Sequence, residues 1–504
     1  MAKLLEIVEQ VNSFINNLVW GWPVMILILG TGILLTVRTR ALQVSKFGDS
    51  LKTTIIPTVK SIGKKQTNTD GKLKTVSQFE AFSAAISGTV GTGNIIGVTS
   101  AILTGGPGAV LWMWISAFFG MVTNYAENVL GLYYRRKDKD GNLSGGPMYY
   151  IFYGLKWKWL AYVAGVFVVL AAIGMSGVQT SKISGTIADA YGSYLGDNIT
   201  TVKLIVGIIV ATIAALIIIG GIKRIGKVAS MLVPAMSLLF IAMAIITIIV
   251  NITAVPAAFA LIFKYAFNFK AAGGGIMGYA FAQVIRKGLA RGIFSNEAGL
   301  GSSVIAHSAS ETREPVKQGL WGVFEVFFDT FIICTLSALM FLVTVDLGAL
   351  TGAESDTAMS LSVFAANFGM FGKIVFSVIM PLFAFTTVIA WSYYGEKATE
   401  FCFGFLGEKG RKISVIVFKV AYVLLIVVSA VLENDLLWAI SDTCNGLMAI
   451  PNLICVVGLS GLVTKITKNY YDRKKGLDVE PMLSAYPKIN EEFKADIARE
   501  NAEQ

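Results

Sequence analysis

The chain has 504 residues, of which 55% are hydrophobic and 15% are charged, whereas an average soluble protein carries about 25% charged residues. A water-soluble globule of this composition could not cover its surface with polar groups, so the sequence excludes that class of protein. The formal net charge of +10 would suggest nucleic acid as a partner of a soluble protein. In a membrane protein it raises a different question, namely which loops hold the basic residues.

Apolar windows long enough to cross a bilayer recur along the whole chain, since a helix needs about 20 residues to span it. They predict an all-α polytopic membrane protein with eleven transmembrane helices, which we number as spans 1 to 11. In chain order the spans lie near residues 18–37, 78–105, 108–134, 158–192, 202–222, 228–250, 276–308, 319–346, 368–395, 413–432 and 437–465.

Basic residues collect in every second loop, as they do in the cytoplasmic loops of membrane proteins. This alternation predicts a plasma or inner membrane protein with its N-terminus outside and its C-terminus in the cytoplasm, and it removes nucleic acid from consideration. Arg286, Lys287 and Arg291 break the pattern. We interpret 276–290 as an amphipathic segment at the outer surface, with span 7 proper beginning near Gly292. The basic loops are 38–74, 135–156, 223–227, 397–412 and 465–475.

Two spans contain too many glycines for a continuous helix, because each glycine costs about 1 kcal/mol relative to alanine. Span 2 is interrupted by glycines within 87–97, and span 7 within 292–301. The spans run in opposite directions and begin five spans apart, which predicts two inverted five-helix repeats whose first helices break near the membrane midplane. The alternative is that the glycines only permit close helix packing.

The repeats define the expected organisation of the chain. The first helix is peripheral, and the tail mixes both signs of charge and is expected to be solvated. The predicted units are 1–77 (external N-terminus, first helix and basic loop), 78–250 (first repeat), 251–275 (external connection), 276–465 (second repeat) and 466–504 (cytoplasmic tail).

Interrupted helices expose backbone groups that bind ions. Free N–H groups at the start of a half-helix attract an anion such as a carboxylate, and freed carbonyls bind a cation or an ammonium group. The pair of interruptions therefore indicates a site for a small zwitterion and a cation. For the carboxylate, the first choice is the pair of N–H groups of Thr92 and Gly93.

Several stretches of sequence resemble the alanine or glycine:cation symporter family, the sodium:alanine symporters. The resemblance implies a fold like that of the neurotransmitter:sodium symporters, with one extra helix before a ten-helix core. It also implies transport rather than catalysis, with sodium as the coupling ion and no other cofactor. The chain departs from the family pattern at Ile96 and within 301–310. The matching stretches are GTGNIIGV (91–98), GGPGAVLWMWISAFFGM (105–121), YAENVLGLYYR (125–135), GGPMYYI (145–151), RGIFSNEAGLGSSVIAHS (291–308) and QGLWGVFEVFFDT (318–330).

The resemblance assigns further roles around the substrate. It implies that the ammonium group lies against the Thr89 carbonyl and the unwound stretch of span 7, formed by Phe294, Ser295 and Asn296. Gln179, in a polar patch of span 4, is expected either to hydrogen-bond the substrate or to join two helices.

Two aromatic residues are candidates for the pocket walls. Trp391 in span 9 and Phe294 would keep the pocket small and favour alanine or glycine. The alternative for Trp391 is a lipid-facing or simply packed side chain.

Sodium prefers carbonyl and hydroxyl oxygens as ligands. Thr386 and Thr387 in span 9 are expected to complete a sodium site with the carbonyls of Ser87 and Val90, as the matching fold implies. The alternative is that both hydroxyls bond to their own helix. Asn94 offers an oxygen for a second ion beside the substrate carboxylate.

Charged residues at membrane depth are functional candidates by default. Glu297 adjoins the predicted site and is a possible carrier of a proton, whereas His307 is expected to be structural. The sequence leaves sodium symport, proton-coupled symport through Glu297, an integral-membrane enzyme and a passive channel as alternatives. Enzymes usually gather polar residues at one interface, whereas these interruptions lie in mid-span, so we favour sodium symport. The charged candidates are Glu127, Lys182, Glu297, Glu325, Asp329 and Asp442.

Overall fold

The computed structural model describes residues 2–61, 75–137, 143–267, 275–346, 355–432 and 434–503. Parts of the predicted basic loop after span 1 and of the predicted external connection lie outside these ranges. Within them the chain is predominantly α-helical. Its β-structure there consists of an antiparallel ribbon, Arg136–Lys137 with Leu143–Ser144, and an isolated bridge between Val76 and Ser310.

The described residues of the first half of the chain form thirteen α-helices. A 3₁₀ turn, Thr92–Asn94, separates α6 from α7, and a π-helical segment, Ile151–Leu155, precedes α10. The helices are α1 (Ala2–Val19), α2 (Trp22–Arg38), α3 (Leu42–Ser45), α4 (Phe47–Thr53), α5 (Ile55–Ser61), α6 (Gln78–Thr89), α7 (Ile96–Gly105), α8 (Ala109–Tyr133), α9 (Pro147–Tyr150), α10 (Lys158–Leu195), α11 (Ile199–Ile218), α12 (Gly221–Val250) and α13 (Val255–Ala266).

Over the part of the second half that the structure describes there are nine α-helices, and a second π-helical segment, Phe327–Cys334, joins α16 to α17. Gly369 has a φ of 57° and kinks α18. The helices are α14 (Gly275–Asn296), α15 (Ser303–His307), α16 (Pro315–Val326), α17 (Thr335–Thr344), α18 (Asp356–Cys402), α19 (Gly407–Ser429), α20 (Asn434–Gly458), α21 (Ser460–Lys474) and α22 (Pro487–Glu503).

Nine helical segments in the described part of the chain are long and apolar enough to cross a membrane. They correspond to predicted spans 1, 3 to 6 and 8 to 11. Spans 2 and 7 are the two that the glycines predicted to be interrupted, and each is built from two helices, α6 with α7 and α14 with α15. The nine segments are Glu6–Arg38, Ala109–Tyr133, Lys158–Gly192, Ile199–Ile218, Gly221–Val250, Pro315–Thr344, Asp356–Cys402, Gly404–Ser429 and Leu437–Gly458.

The interrupted helices lie in the interior of the bundle. α14 packs against α8 and α7, and α6 packs against α12, α15 and α18. By contrast, α11 and α19 leave aliphatic side chains such as Leu216 and Leu424 exposed, as expected for helices that face lipid. Polar residues of the interrupted spans are therefore shielded by apolar helices on the outside.

The structure corrects the interpretation of 276–290 as a separate surface segment. α14 runs without a break from Gly275 to Asn296, so Gly292 lies inside a continuous helix. The basic residues find partners there, since Arg291 pairs with Asp442 at 3.2 Å and Arg286 donates to Asn17 Oδ1 at 2.8 Å. With Arg291 paired and Arg286 hydrogen-bonded, the basic residues are accommodated on a continuous helix.

The expectation of a solvated C-terminal tail is also wrong. Leu483 and Phe493 are 1% and 2% exposed, so the tail is a folded element packed on the rest of the molecule. Four of its charged residues, Arg473, Lys474, Glu492 and Asp496, pair with the body of the protein, so a charged composition is compatible with a docked tail.

Candidate functional site

The first interruption separates α6 from α7. The Gly91 N–H, which in a continuous helix would donate to the Ser87 carbonyl, donates instead to Asn94 Oδ1 at 2.8 Å. The next N–H, that of Thr92, donates to Gln179 Oε1 of α10 at 3.4 Å. Two side-chain amides therefore hold the break open, and the last carbonyls of α6 lose their helical donors.

The second interruption separates α14 from α15. Glu297, Gly299 and Gly301 have φ values of 55°, 92° and 74°, in the left-handed region that glycine adopts most easily. The chain unwinds here, over 297–302, and not over 294–296 as predicted. Residues 294–296 form the last turn of α14, because the glycines that permit the unwinding come after them.

The two interruptions lie directly against each other. A Cβ placed on Gly93 would lie 3.4 Å from both Phe294 and Ser295, which is van der Waals contact, so the two segments pack against each other at this point. This contact brings the predicted carboxylate-binding residues next to the predicted ammonium-binding residues.

Asp329 links both interruptions to span 8. Its carboxylate, on the π-helical segment, accepts hydrogen bonds from Asn94 Nδ2 at 2.5 Å, from Ser295 Oγ at 2.9 Å and from Thr330 Oγ1 at 2.9 Å. Asp329 is fully buried, and within the described ranges no Lys or Arg pairs with it. Because an isolated buried charge is costly, this carboxylate offers a ready place for a cation.

Sequence reasoning named Asp329 only as one of several charges at membrane depth and did not assign it to the site. The signal was present, since an acidic residue in an apolar span is unusual. What the sequence lacked was the direction in which the side chain points.

Span 9 reaches the first interruption through Thr387. A Cβ on Gly91 would collide with Thr387 Oγ1, which places that hydroxyl against the break. Both predicted threonines also bond to their own helix, as Thr386 Oγ1 and Thr387 Oγ1 donate to the Phe383 carbonyl at 3.0 and 3.2 Å. Thr386 Oγ1 also lies 3.9 Å from the sulfur of Met236 in α12.

Trp391 is fully buried, which excludes a lipid-facing side chain. Its indole Nε1 donates to Glu297 Oε1 at 2.9 Å, and Ser302 Oγ donates to Glu297 Oε2 at 2.5 Å. Glu297 therefore connects the second interruption to span 9.

Phe294 lies between the interruptions and a charged cavity. Its ring stacks on Trp438, with the centroids 5.1 Å apart, and Trp438 lines a cavity of about 440 Å³. Two ion pairs border that cavity, Lys182 with Asp356 at 2.7 Å and Arg291 with Asp442 at 3.2 Å. Phe294, which was predicted to form a pocket wall, therefore lies between this cavity and the interruptions.

Other predicted residues point away from the shared contact. The Asn296 side chain donates to Thr330 Oγ1 at 3.1 Å. The hydroxyls of Thr89 and Ser87 bond to their own helix, and the Val90 N–H still donates to Ile86. From Ser87, Thr89 and Val90, only backbone carbonyls therefore remain as the ligands that were predicted.

The remaining buried charges lie around α15. His307 Nε2 is 2.7 Å from Glu325 Oε2, and Gln318 Nε2 is 2.6 Å from His307 Nδ1. Glu127 accepts a hydrogen bond from Asn452. Asn452, the partner of Glu127, also donates to the Gly299 carbonyl of the second interruption at 2.8 Å, whereas His307 bonds to Glu325 and Gln318, which agrees with the structural role expected for His307.

An all-helical membrane protein with two touching helix interruptions belongs to the class of transporters built from inverted repeats. The model of the sodium:alanine symporter family matches residues 5–483. The chain belongs to this family, which is a family of membrane transporters.

Relatives with established or assigned names support this membership. The sodium/alanine symporter AgcS of Methanococcus maripaludis is 39% identical over 476 residues, which cover 94% of this chain and 99% of that protein. The probable sodium/glutamine symporter GlnT of Bacillus subtilis is 35% identical over 470 residues, covering 93% and 92%.

A solved structure confirms the predicted fold. The crystal structure of MhsT in complex with L-phenylalanine superposes with a TM-score of 0.56 at 15% sequence identity, covering 79% of this chain and 99% of that one. The fold is therefore that of the neurotransmitter:sodium symporters.

Proposed function

We propose that this protein couples the entry of sodium to the uptake of a small neutral amino acid, alanine or glycine, by alternating access. The observation that carries the proposal is the convergence of both helix interruptions on the buried Asp329 carboxylate. Relatives named as sodium/alanine and sodium/glutamine symporters support sodium as the coupling ion and an amino acid as the substrate. A structural neighbour that binds L-phenylalanine supports the substrate class as well.

The first cation site is the cluster around Asp329. A carboxylate and the Ser295 hydroxyl are hard oxygen ligands of the kind that sodium prefers. A bound cation would neutralise Asp329, which has only neutral donors around it. Asn94, predicted to bind a second ion through its oxygen, uses that oxygen to hold the Gly91 N–H and faces Asp329 with its Nδ2. Its role is then to shape the site.

A second cation site would use the carbonyls of Ser87 and Val90 together with Thr386 and Thr387. Support comes from the loss of the helical donor to Ser87 and from the approach of the Thr387 hydroxyl to Gly91. Thr387 is the stronger ligand candidate, because Thr386 Oγ1 is also near a sulfur atom.

The substrate carboxylate is assigned to the N–H groups of Thr92 and Gly93. Gln179 Oε1 accepts the Thr92 N–H in this structure, so an acceptor oxygen already occupies the position that a carboxylate oxygen would take. When substrate binds, the Gln179 amide can rotate and donate to the carboxylate through its NH₂ group. The ammonium group would lie against the Thr89 carbonyl and the last turn of α14, where Ser295 and Asn296 reside.

The pocket walls would be Phe294 and Trp391, both buried. An apolar wall discriminates one methylene by only about 1–3 kcal/mol, so stronger rejection of larger amino acids requires a steric clash. The Phe294 ring is held by Trp438 and the Trp391 ring by Glu297, so both rings would clash with a larger side chain. A small substrate fits this arrangement better than glutamine does.

Proton coupling through Glu297 is the second candidate. The observation in its favour is a carboxylate that is fully buried and held by two neutral donors, Trp391 and Ser302. A proton on Glu297 would remove its charge and weaken these two hydrogen bonds. Such a change would loosen the link between spans 7 and 9.

The orientation follows the loop charges, with the N-terminus outside and the C-terminus in the cytoplasm. In that orientation the charged cavity beside Trp438 opens to the outside, and the tail lies in the cytoplasm. The partners are then sodium, a small neutral amino acid and the lipid bilayer.

Uptake into proteoliposomes tests the proposal. We expect an inward sodium gradient, at equal pH on both sides, to drive uphill accumulation of alanine or glycine. Accumulation driven only by a pH gradient would contradict sodium coupling and would identify the proton as the coupling ion. Equilibration without accumulation would contradict coupled transport and indicate a channel.

A further inference from the structure

The end of the chain folds back onto the protein. We call residues 477–503 the C-terminal strap; it comprises the turn after α21 and the helix α22. Asn490 Oδ1 accepts the N–H groups of Leu483 at 2.9 Å and Ser484 at 3.1 Å, which fixes the turn before α22. The Leu483 and Phe493 side chains are almost fully buried. The strap therefore has a defined shape and a docking surface.

The strap docks first on the end of α8. The Ala485 N–H donates to the Tyr133 carbonyl at 2.9 Å, and the Tyr486 hydroxyl donates to the Tyr134 carbonyl at 3.3 Å. Lys137, just beyond the helix, pairs with the strap's Glu492 at 2.9 Å. Backbone bonds, side-chain bonds and an ion pair thus fasten the strap to the end of span 3.

Phe493 covers a buried arginine. Arg135 is 1% exposed, and its guanidinium lies 5.4 Å from the centre of the Phe493 ring. The same guanidinium donates to the carbonyls of Ser310 at 2.7 Å and Thr312 at 2.5 Å. Through Arg135, the strap contacts the loop 308–314, which joins α15 to α16.

Ion pairs strengthen the grip on this loop. Strap residue Asp496 pairs with Arg313 at 3.2 Å, and Arg473 of α21, just before the strap, pairs with Glu314 at 2.7 Å. Two successive residues of the loop, Arg313 and Glu314, are therefore both bound by the C-terminal region of the chain.

The same loop holds the entrance to the other interrupted helix. The Val76 N–H donates to the Ala309 carbonyl at 3.2 Å, and the Glu311 N–H donates to the Val76 carbonyl at 2.8 Å. Val76 lies directly before α6, whose N-terminus is closed by a capping box of Ser77 and Glu80. The loop thus joins the far ends of both interrupted spans.

We propose that the C-terminal strap is a latch that regulates transport. It holds closed the face of the transporter where the loop 308–314 joins the ends of α15 and α6, and its release allows that face to open. The inference rests on the proposed alternating access. α15 packs against α6 and α18, and opening this face requires α15 to separate from them. The loop 308–314 must move with α15, so the contacts of Phe493 and Asp496 have to break or follow. A latched strap favours the closed state, and a released strap favours opening.

Cysteine labelling on the strap side of the membrane tests the latch. Ala306 in α15 is fully buried, so Ala306→Cys reports opening by its reaction with an impermeant maleimide in inside-out vesicles. The rate is taken relative to the same chain without Ala306→Cys, which corrects for the native cysteines. Two full-length releasing variants are compared, Phe493→Ala combined with Asp496→Lys, and Ala485→Pro, which deletes the N–H donated to Tyr133.

We expect either releasing variant to raise the labelling rate roughly fivefold or more, the order of shift that losing a packed aromatic and an ion pair produces in a two-state equilibrium. The matched control is Glu491→Ala, because Glu491 is on α22 but its ion pair among the described residues is with Lys494, within the strap. It should leave the rate unchanged.

Unchanged labelling in both releasing variants would overturn the latch. An equal rise in the Glu491→Ala control would also overturn it, because the effect would not depend on the contacts with the body. The assay needs neither sodium nor an amino acid. A protein that shows the expected labelling but no sodium-driven uptake would therefore contradict the proposed function and leave the latch standing.

Discussion

The two helix interruptions are held open in different ways. In the first, side-chain amides from Asn94 and Gln179 accept the N–H groups that the helix gives up, and the residues of the break keep negative φ values. In the second, three residues adopt positive φ, and a carboxylate, that of Glu297, ties the segment to Trp391.

This difference separates two tasks. In the proposed function a substrate carboxylate would replace the Gln179 oxygen that now accepts the Thr92 N–H, so the first break suits binding. The second interruption is shaped by left-handed backbone and is bonded to span 9 through Trp391 and to span 11 through Asn452, which donates to the Gly299 carbonyl, so it suits movement of these spans relative to each other. The first break would then select the substrate, and the second would act as the hinge. The predictions that follow test this division.

The largest effect is expected at Asp329, the point where both interruptions meet. Asp329→Asn keeps the size of the side chain but removes the charge that would bind the cation. We expect sodium-driven uptake to fall by about 100-fold or more, or roughly 2.7 kcal/mol, which is comparable to the loss of a buried charged partner. Initial uptake rates in proteoliposomes measure it.

The control for this substitution is Asp478→Asn on the exposed part of the strap. It changes net charge equally and should leave uptake within error of the original protein. Sodium-driven uptake that survives in Asp329→Asn would remove Asp329 from the cation site and would leave the two interruptions without a shared ion.

A somewhat smaller effect is expected at Gly301 in the second interruption. Its φ of 74° disfavours any side chain, and a Cβ there would lie 2.8 Å from Asn452 Oδ1. We expect Gly301→Ala to lower the free energy of unfolding by about 2 kcal/mol. Thermal unfolding in detergent measures the change.

Gly97 provides the comparison from the first interrupted span. It lies inside α7, and a Cβ there would have its nearest neighbour at 3.9 Å. Gly97→Ala should be neutral or stabilising by up to about 1 kcal/mol, since alanine favours a helix. Equal destabilisation at both glycines would show that the second interruption does not depend on backbone conformation.

The next effect is expected at Gln179. Gln179→Ala removes the acceptor for the Thr92 N–H and the donor proposed for the substrate carboxylate. We expect the apparent KM for the amino acid to rise about tenfold, the equivalent of one hydrogen bond of roughly 1.4 kcal/mol. Thr180→Ala, at the next position of the same helix, should leave KM unchanged. An unaltered KM in Gln179→Ala would make Gln179 a residue that only joins helices.

Much of the fold was predictable because it depends on local composition. Apolar length predicted the eleven spans, and the glycine clusters predicted which two would be interrupted. The opposed directions of those spans predicted that both would break near the membrane midplane. Each of these conclusions needs only the chain sequence and the thickness of a bilayer.

The features that escaped prediction depend on distant contacts. Glu297 adopts a positive φ that its residue type does not suggest, in a segment where Trp391 and Ser302 hold its carboxylate. Asp329 points into the site from a π-helical segment, whose extra residue per turn changes which face a side chain occupies. The docking of the strap could not be predicted from its charged composition, because it depends on the contact of Phe493 with the buried Arg135, which is distant in sequence.

The smallest effect is expected at Trp391, and it tests the bond between hinge and span 9. Trp391→Phe keeps an aromatic ring but deletes the indole N–H, which leaves Glu297 with one donor fewer in a fully buried position. Trp321→Phe is the matched control, because Trp321 is also buried and its N–H has no hydrogen-bond partner in the described part of the chain. Both substitutions remove a similar volume, so their difference reports the hydrogen bond. We expect Trp391→Phe to be less stable than Trp321→Phe by about 1 kcal/mol in thermal unfolding. Equal stabilities would mean that the Glu297 bond contributes nothing to the closed hinge, and the division of tasks between the two interruptions would then rest on the glycines and on the Asn452 bond to Gly299.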